Sequence, residues 1–243
     1  MGLARSVGRF IFGKLLPRRP YRVIRGPLIG ARFILGSLSG EGGGASVYFG
    51  DMEPEQTERM ASEISSGDVF FDVGANVGYY SILASRIAGE GGLVVSFEPL
   101  DRNRSFLEKH KELNAAENMQ IFPFAISDAS GTAKFFEGSD PAMGGLTVKG
   151  GREFEVETIT LDEVASRIGR EPTVMKIDVE GAEMAVLKGG EGTLRTARPK
   201  IFLSTHSPEL KRDCIERLSL FGYSCEPLMD GESDEFFCEF RKQ

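Results

Sequence analysis

The ten residues Val69–Gly78, VFFDVGANVG, restrict what this chain can fold into more than any other segment. An apolar run ends at Val73, Gly74-Ala75-Asn76-Val77-Gly78 follows at once, and helical spacing begins immediately after it. That order describes a buried strand turning sharply into a helix, the unit from which parallel α/β sheets are built. Gly74 lets the backbone turn and approach a neighbour closely. Asn76 tolerates a left-handed conformation, and Gly78 lets helix and strand pack tightly. Amides at the helix start are expected to face a ligand beyond the strand's carboxyl end. The turn therefore predicts a pocket for a nucleotide-like molecule.

The rest of the chain repeats the same alternation. Strands are predicted over 69–73, 93–97, 119–125, 174–179 and 200–205, with helices over 53–64, 77–88, 102–113, 161–168, 182–188 and 208–220. Two last strands near 223–228 and 235–240, joined by the turn signal Asp230-Gly231, read as an antiparallel hairpin. Short strands around a turn are predicted over 26–35. The rhythm breaks at 130–160, where two strands flank the Gly-rich stretch 138–151, readable as a lid or as an ordinary hairpin loop. The fold class is α/β, a Rossmann-like sheet with helices on both faces.

With 243 residues, 41% hydrophobic and 27% charged, the chain is globular and long enough for one large domain. A net charge of −7 argues against nucleic acid as a partner. Basic residues nevertheless gather at the start: Arg5, Arg9, Lys14, Arg18, Arg19, Arg22, Arg25 and Arg32, with no acid before Arg32. Apolar residues interleave at helical spacing. The pattern fits a helix packed on the domain, or one with peripheral membrane contact through residues 1–25. We divide the chain into residues 1–50, a basic helix with short strands, and 51–243, the main domain. No apolar run reaches the roughly 20 residues that span a bilayer, and no signal peptide is expected. Cys214, Cys225 and Cys238 match no zinc spacing, and their odd number gives no complete disulfide framework, so reduced thiols and a cytoplasmic location are expected. No metal site is expected.

Two further acids sharpen the ligand. Glu98 ends the second strand, 24 residues after Gly74, where a carboxylate can accept from both ribose hydroxyls. Ser127-Asp128 ends the third, where an acid can accept from an adenine amino group. A dinucleotide fingerprint would carry glycine where Asn76 stands, and Asp72 would repel a pyrophosphate. Asp72 suits a cationic ligand bearing an amino group and a sulfonium, which describes S-adenosyl-L-methionine. The cofactor residues are thus Asp72, Gly74, Ala75, Asn76, Gly78, Glu98, Ser127 and Asp128.

DVGANVGYYS (72–81), FEP (97–99), AISD (125–128), TLDE (160–163) and KIDVEGAE (176–183), with Gly50-Asp51-Met52-Glu53 upstream, resemble the FkbM family of S-adenosylmethionine-dependent methyltransferases over roughly residues 26–240. The resemblance implies a seven-stranded class I methyltransferase sheet ending in the antiparallel hairpin. It also implies O-methyl transfer to a hydroxyl of a sugar, glycolipid or other small molecule. Asp178 and Glu180, at the fourth strand's end, are the candidates for the acceptor side. Asp178 either positions or deprotonates the acceptor, or caps the cofactor's amino group. His206 follows the strand Ile201–Leu203 and reaches the same edge, as a base or as a structural residue. Relatives typically carry Glu two residues before this histidine. Here Ser204 stands there, a departure that weakens any carboxylate–histidine pair. His110, within a charged helix, reads as a surface residue. The rivals are a catalytically silent cofactor-binding module and a nucleotide-dependent oxidoreductase.

Overall fold

The computed structural model describes residues 16–38, 44–137, 144–145, 153–229, 231 and 233–241. The basic amphipathic segment predicted before residue 16 lies outside them, as does most of the Gly-rich stretch 138–151. The strands are β1 (Pro20–Arg22), β2 (Arg32–Ile34), β3 (Val69–Val73), β4 (Leu93–Phe97), β5 (Met119–Phe122), β6 (Ala125–Ile126), β7 (Gly131–Glu137), β8 (Gly144–Gly145), β9 (Glu153–Ile159), β10 (Val174–Ile177), β11 (Lys200–Ser204), β12 (Tyr223–Pro227) and β13 (Glu235–Phe240). The helices are α1 (Ser46–Phe49), α2 (Pro54–Glu63), α3 (Tyr79–Ala88), α4 (Asp101–Leu113), α5 (Leu161–Ile168), α6 (Glu183–Gly189), α7 (Glu191–Thr196) and α8 (Pro208–Leu220).

Seven strands form the main sheet in the order β12-β13-β11-β10-β3-β4-β5. Pairing is parallel from β11 to β5, and β13 lies antiparallel to both β11 and β12. The expected α/β class, seven-stranded sheet and terminal hairpin are all present. Every residue of β3, β4 and β10 is buried, because helices cover both faces of a parallel sheet. Alternation sorts the side chains. Phe70, Val94, Val174 and Phe202 join one core with α3 and the segment carrying Phe33. Phe71, Val95, Met175 and Ile201 join the opposite core with α5, α6 and α8. The chain runs outward from β3 through β4 to β5, and outward the other way from β10 to β11. β3 and β10 therefore flank the switch point where α/β sheets bind ligands.

Local chemistry sets the helix ends. Thr160 accepts from the Glu163 amide to start α5, and Ser207 accepts from the Leu210 amide ahead of Pro208 to start α8. Gly89 and Gly169 end α3 and α5 at positive φ.

Three sequence expectations are corrected here. The third strand is not continuous over 119–125: it stops at Phe122, and after Pro123, which has no N–H to donate, Ala125–Ile126 pairs with β9 in a separate sheet ordered β6-β9-β7-β8. His110 is fully buried: its Nδ1 lies 2.7 Å from the Val77 carbonyl, its Nε2 accepts the Ile34 amide at 3.0 Å, and burial pushes its pKa down to about 4. Cys225 and Cys238 are joined in a disulfide, leaving Cys214 as the buried free thiol among the described residues. The register of β12 on β13 places those two residues directly opposite, with Cα atoms 4.0 Å apart. Cysteine spacing cannot reveal such a register. No helix among the described residues is long and apolar enough to cross a membrane.

Candidate active site

The Gly74–Gly78 turn is fixed by its neighbours. Gly74 has φ +85°, and a Cβ there would lie 1.9 Å from the Asp178 carbonyl oxygen. The close approach that demands glycine is to the end of β10. The Gly74 and Ala75 amides both donate to the Phe97 carbonyl, at 3.1 and 2.9 Å. Asn76, at φ +50°, donates its amide to Glu98 Oε2 at 2.8 Å, and the Gly78 amide returns to Ala75. These four amides are spent inside the protein. Gly78, at φ +89°, leaves room for Leu107 of α4, whose Cδ1 would lie 2.2 Å from an added Cβ.

A cavity opens beyond the carboxyl ends of β3, β4 and β10. One end is apolar, with Phe97, Leu100, Phe124, Ala125 and Ile126. Glu98 forms the middle, buried, with its Oε1 accepting the Leu100 amide at 2.8 Å. Burial raises its pKa to about 7 against the pull of the Leu100 and Asn76 amides. The other end carries Glu53, Asp72, Lys176, Asp178 and Glu180. Asp72, Gly74, Ala75, Asn76 and Glu98 all line this cavity. Ser127 and Asp128 do not: Ser127 is buried with its carbonyl against Gly189, and Asp128 is exposed. Phe124, Ala125 and Ile126 present that part of the chain instead.

The acidic end is built on buried polar side chains that interrupt one face of the sheet. The Ser81 hydroxyl donates to Asp72 Oδ2 at 2.5 Å and lies 2.8 Å from Ser96 Oγ. Burial drives the Asp72 pKa up, and Lys176 and Ser81 offset it only in part. Lys176 is 2% exposed and donates to Asp178 Oδ2 at 2.6 Å. Burial alone would lower its pKa, but Asp178, Asp72 and Glu53 hold it above the usual lysine value. Burial likewise pushes Asp178 up, and the Lys176 ammonium overrides it, so the carboxyl sits below its ordinary range. Glu53 accepts from the Tyr80 hydroxyl at 2.5 Å and from Gln56 Nε2 at 2.9 Å.

His206 stands where β11 ends, outside the cavity lining but against the two acids that line it. Its Nε2 is 3.4 Å from Asp178 Oδ1 and 3.5 Å from Glu180 Oε2. Its Nδ1 is 2.7 Å from Oε1 of Glu183, a fully buried residue at the start of α6. The bond to Glu183 raises the imidazole pKa to about 8 against the cost of burial, with Asp178 and Glu180 adding to the rise. The structure thus brings Asp178, Glu180 and His206 together. It also supplies the carboxylate that Ser204 withholds, from a different element. Glu183, Lys176 and Glu53 were not singled out from sequence. Lys176 had a signal, being a charge inside the apolar strand VMKI. Glu183 and Glu53 had only their places at the ends of quoted motifs.

Comparison with known proteins agrees with this geometry. The methyltransferase FkbM domain model matches residues 72–232. The hexuronic acid methyltransferase AglP of Haloferax volcanii is 28% identical over 194 residues, covering 79% of this chain and 77% of that protein. The crystal structure of methyltransferase FkbM from Methylobacillus flagellatus KT superposes with a TM-score of 0.54 at 15% identity, over 81% of this chain. The chain spans about half of that structure's length, 54%. Because the family match takes in the glycine turn, Glu98 and the Asp178–His206 cluster alike, the chain belongs to the FkbM methyltransferase domain family and is a methyltransferase.

Proposed function

We propose that this methyltransferase moves the methyl group of S-adenosyl-L-methionine onto a hydroxyl oxygen of a sugar, glycolipid or other small molecule. The observation that carries the reading is one continuous cavity, joining an apolar end through Glu98 to the Asp178–Glu180 end. The donor set fits the cofactor. Leu100, Phe124 and Ile126 suit an adenine ring, and Glu98 has oxygen lone pairs left for ribose hydroxyls. Asp72 and Glu53 put negative charge where a sulfonium and an amino group would lie. Bound there, the cofactor supplies an electrophilic methyl group.

The chain's own residues align and shield. Methyl transfer to oxygen is an in-line displacement, so holding the acceptor against the cofactor end is the first requirement. Asp178, fixed by Lys176, and Glu180 line the wall where the acceptor oxygen must sit, and His206 stands behind them. AglP, by its name, acts on a hexuronic acid, which supports a sugar-derived acceptor. The family assignment supports methyl transfer over the oxidoreductase and silent-module alternatives.

Calorimetry with S-adenosylmethionine and with NAD tests the cofactor. We expect binding of the first alone, and preference for NAD would overturn the reading. Asp178→Asn should keep cofactor binding and lose transfer of labelled methyl into hydroxylated sugars. Unchanged transfer would remove Asp178 from the acceptor site.

A further inference from the structure

The spacing inside the Asp178–Glu180–His206 cluster is wrong for hydrogen bonds. Charge-assisted N–H···O bonds run about 2.7–2.9 Å, whereas His206 Nε2 lies 3.4 Å from Asp178 Oδ1 and 3.5 Å from Glu180 Oε2. One Nε2 proton cannot point at both oxygens. Two ligand atoms about 2.1 Å from a common ion, at a tetrahedral angle, are roughly 3.4 Å apart. One ligand atom from each residue lies within 4.8 Å of the others. The remaining polar atoms of two of them are already engaged: Asp178 Oδ2 by Lys176 Nζ and His206 Nδ1 by Glu183 Oε1. That leaves Asp178 Oδ1 and His206 Nε2 turned toward Glu180.

A second observation comes from Glu183. It is fully buried, and its Oε2 has no hydrogen-bond partner among the described residues. Its Oε1 takes both His206 and the Gly181 amide, the latter at 2.9 Å, and burying the carboxylate with the other oxygen unpaired is costly. The cost is understandable if Glu183 serves as the outer carboxylate of a metal-bound histidine, where such a partner fixes the ring and raises the basicity of the ligating nitrogen. We infer that Asp178, Glu180 and His206 bind a divalent metal ion at the acceptor end of the cavity, with Glu183 as the carboxylate behind His206. Two carboxylates and one imidazole suit Mn²⁺ or Zn²⁺ better than Mg²⁺ or Ca²⁺. Three protein ligands leave a position open, and Asp178 and Glu180 turn it toward the cavity. An acceptor oxygen on the ion would be polarised. That consequence rests on the methyl-transfer reading; the binding of the ion does not.

The test uses the whole chain, stripped with a chelator and titrated with Mn²⁺ while free Mn²⁺ is followed by electron paramagnetic resonance, with a parallel Zn²⁺ titration by calorimetry. One ion per chain is expected, weakened about tenfold or more in Glu180→Gln and His206→Gln, and about 10- to 100-fold in Glu183→Gln. Wild-type protein that takes up neither ion overturns the site, and so do folded variants that bind as tightly as wild type. Uptake by wild type that survives in all three variants assigns the ion elsewhere and also overturns it. S-adenosylmethionine binding on the same samples separates the two readings. Cofactor binding without ion uptake removes the metal site alone, and ion uptake without cofactor binding removes the cofactor reading alone.

Discussion

Glu183 holds His206: its Oε1 meets the imidazole Nδ1 at 2.7 Å, across 23 positions of sequence and from a fully buried site at the head of α6. In the metal-free protein this carboxylate raises the imidazole pKa to about 8. The stability it contributes is therefore full below the unfolded value near 6.5 and is lost as pH rises through about 8. Glu183→Gln should move the His206 titration, read by NMR, back toward about 6.5. It should cut turnover by at least tenfold while leaving S-adenosylmethionine affinity within about twofold. An unmoved titration would show that the pairing does not operate in solution.

Gly74 and Asp178 form a second dependence. Alanine at 74 must adopt φ +85° and also displace the carbonyl of Asp178. Strain at such positions costs about 1–3 kcal/mol, and the clash adds to it. We expect Gly74→Ala to lower Tm by several degrees and to abolish cofactor binding. A Tm within one degree of wild type would contradict the close approach.

Glu98 predicts a proton linkage. Its pKa of about 7 lies above the unfolded value near 4.5, so its effect on stability becomes less favourable as pH rises from about 4.5 to about 7, then levels off. Ribose hydroxyls donating to this carboxyl favour its charged form. Cofactor binding near pH 6.5 should therefore release protons. Calorimetry in two buffers of different ionisation enthalpy measures the release, and Glu98→Gln should remove it. Buffer-independent heats would speak against ribose on Glu98.

His110 ties β2 to the glycine turn through the Ile34 amide and the Val77 carbonyl. His110→Phe fills the volume but strips both partners, at about 1–3 kcal/mol each for buried groups left unpaired. Chemical denaturation should show this loss. A change below about 0.5 kcal/mol would mean that water reaches both groups.

The Cys225–Cys238 bridge closes a 13-residue separation on the sheet edge. Chain entropy assigns such a loop up to about 3 kcal/mol. Reduction, or the double Cys→Ser variant, should lower Tm yet leave cofactor affinity unchanged, because β12 contributes nothing to the cavity. Loss of affinity on reduction would contradict that separation.

The legible parts of this protein were those governed by local chemistry. Alternating apolar strands and capped helices appear in the sequence because burial on both sheet faces demands continuous apolar runs, and because caps and positive-φ glycines act within four or five residues. The seven main strands and the helices α5 and α8 follow from this. Asp178 and His206 could be brought to one sheet edge from the ends of parallel strands, since strand direction alone fixes that edge.

What the tertiary structure decided is every relationship that depends on register or on facing side chains. The glycine turn needs Gly74 because β10 delivers the Asp178 carbonyl against it. Pro123 diverts the chain into a second sheet and removes Ser127 and Asp128 from the pocket. Cys225 meets Cys238 through the register of β12 on β13. Ser204 promised His206 no carboxylate, and Glu183 provides one from the head of α6. Sequence records the residues and their local conformation; distances between chain segments are set by how the two cores pack, and packing is a property of the whole chain at once.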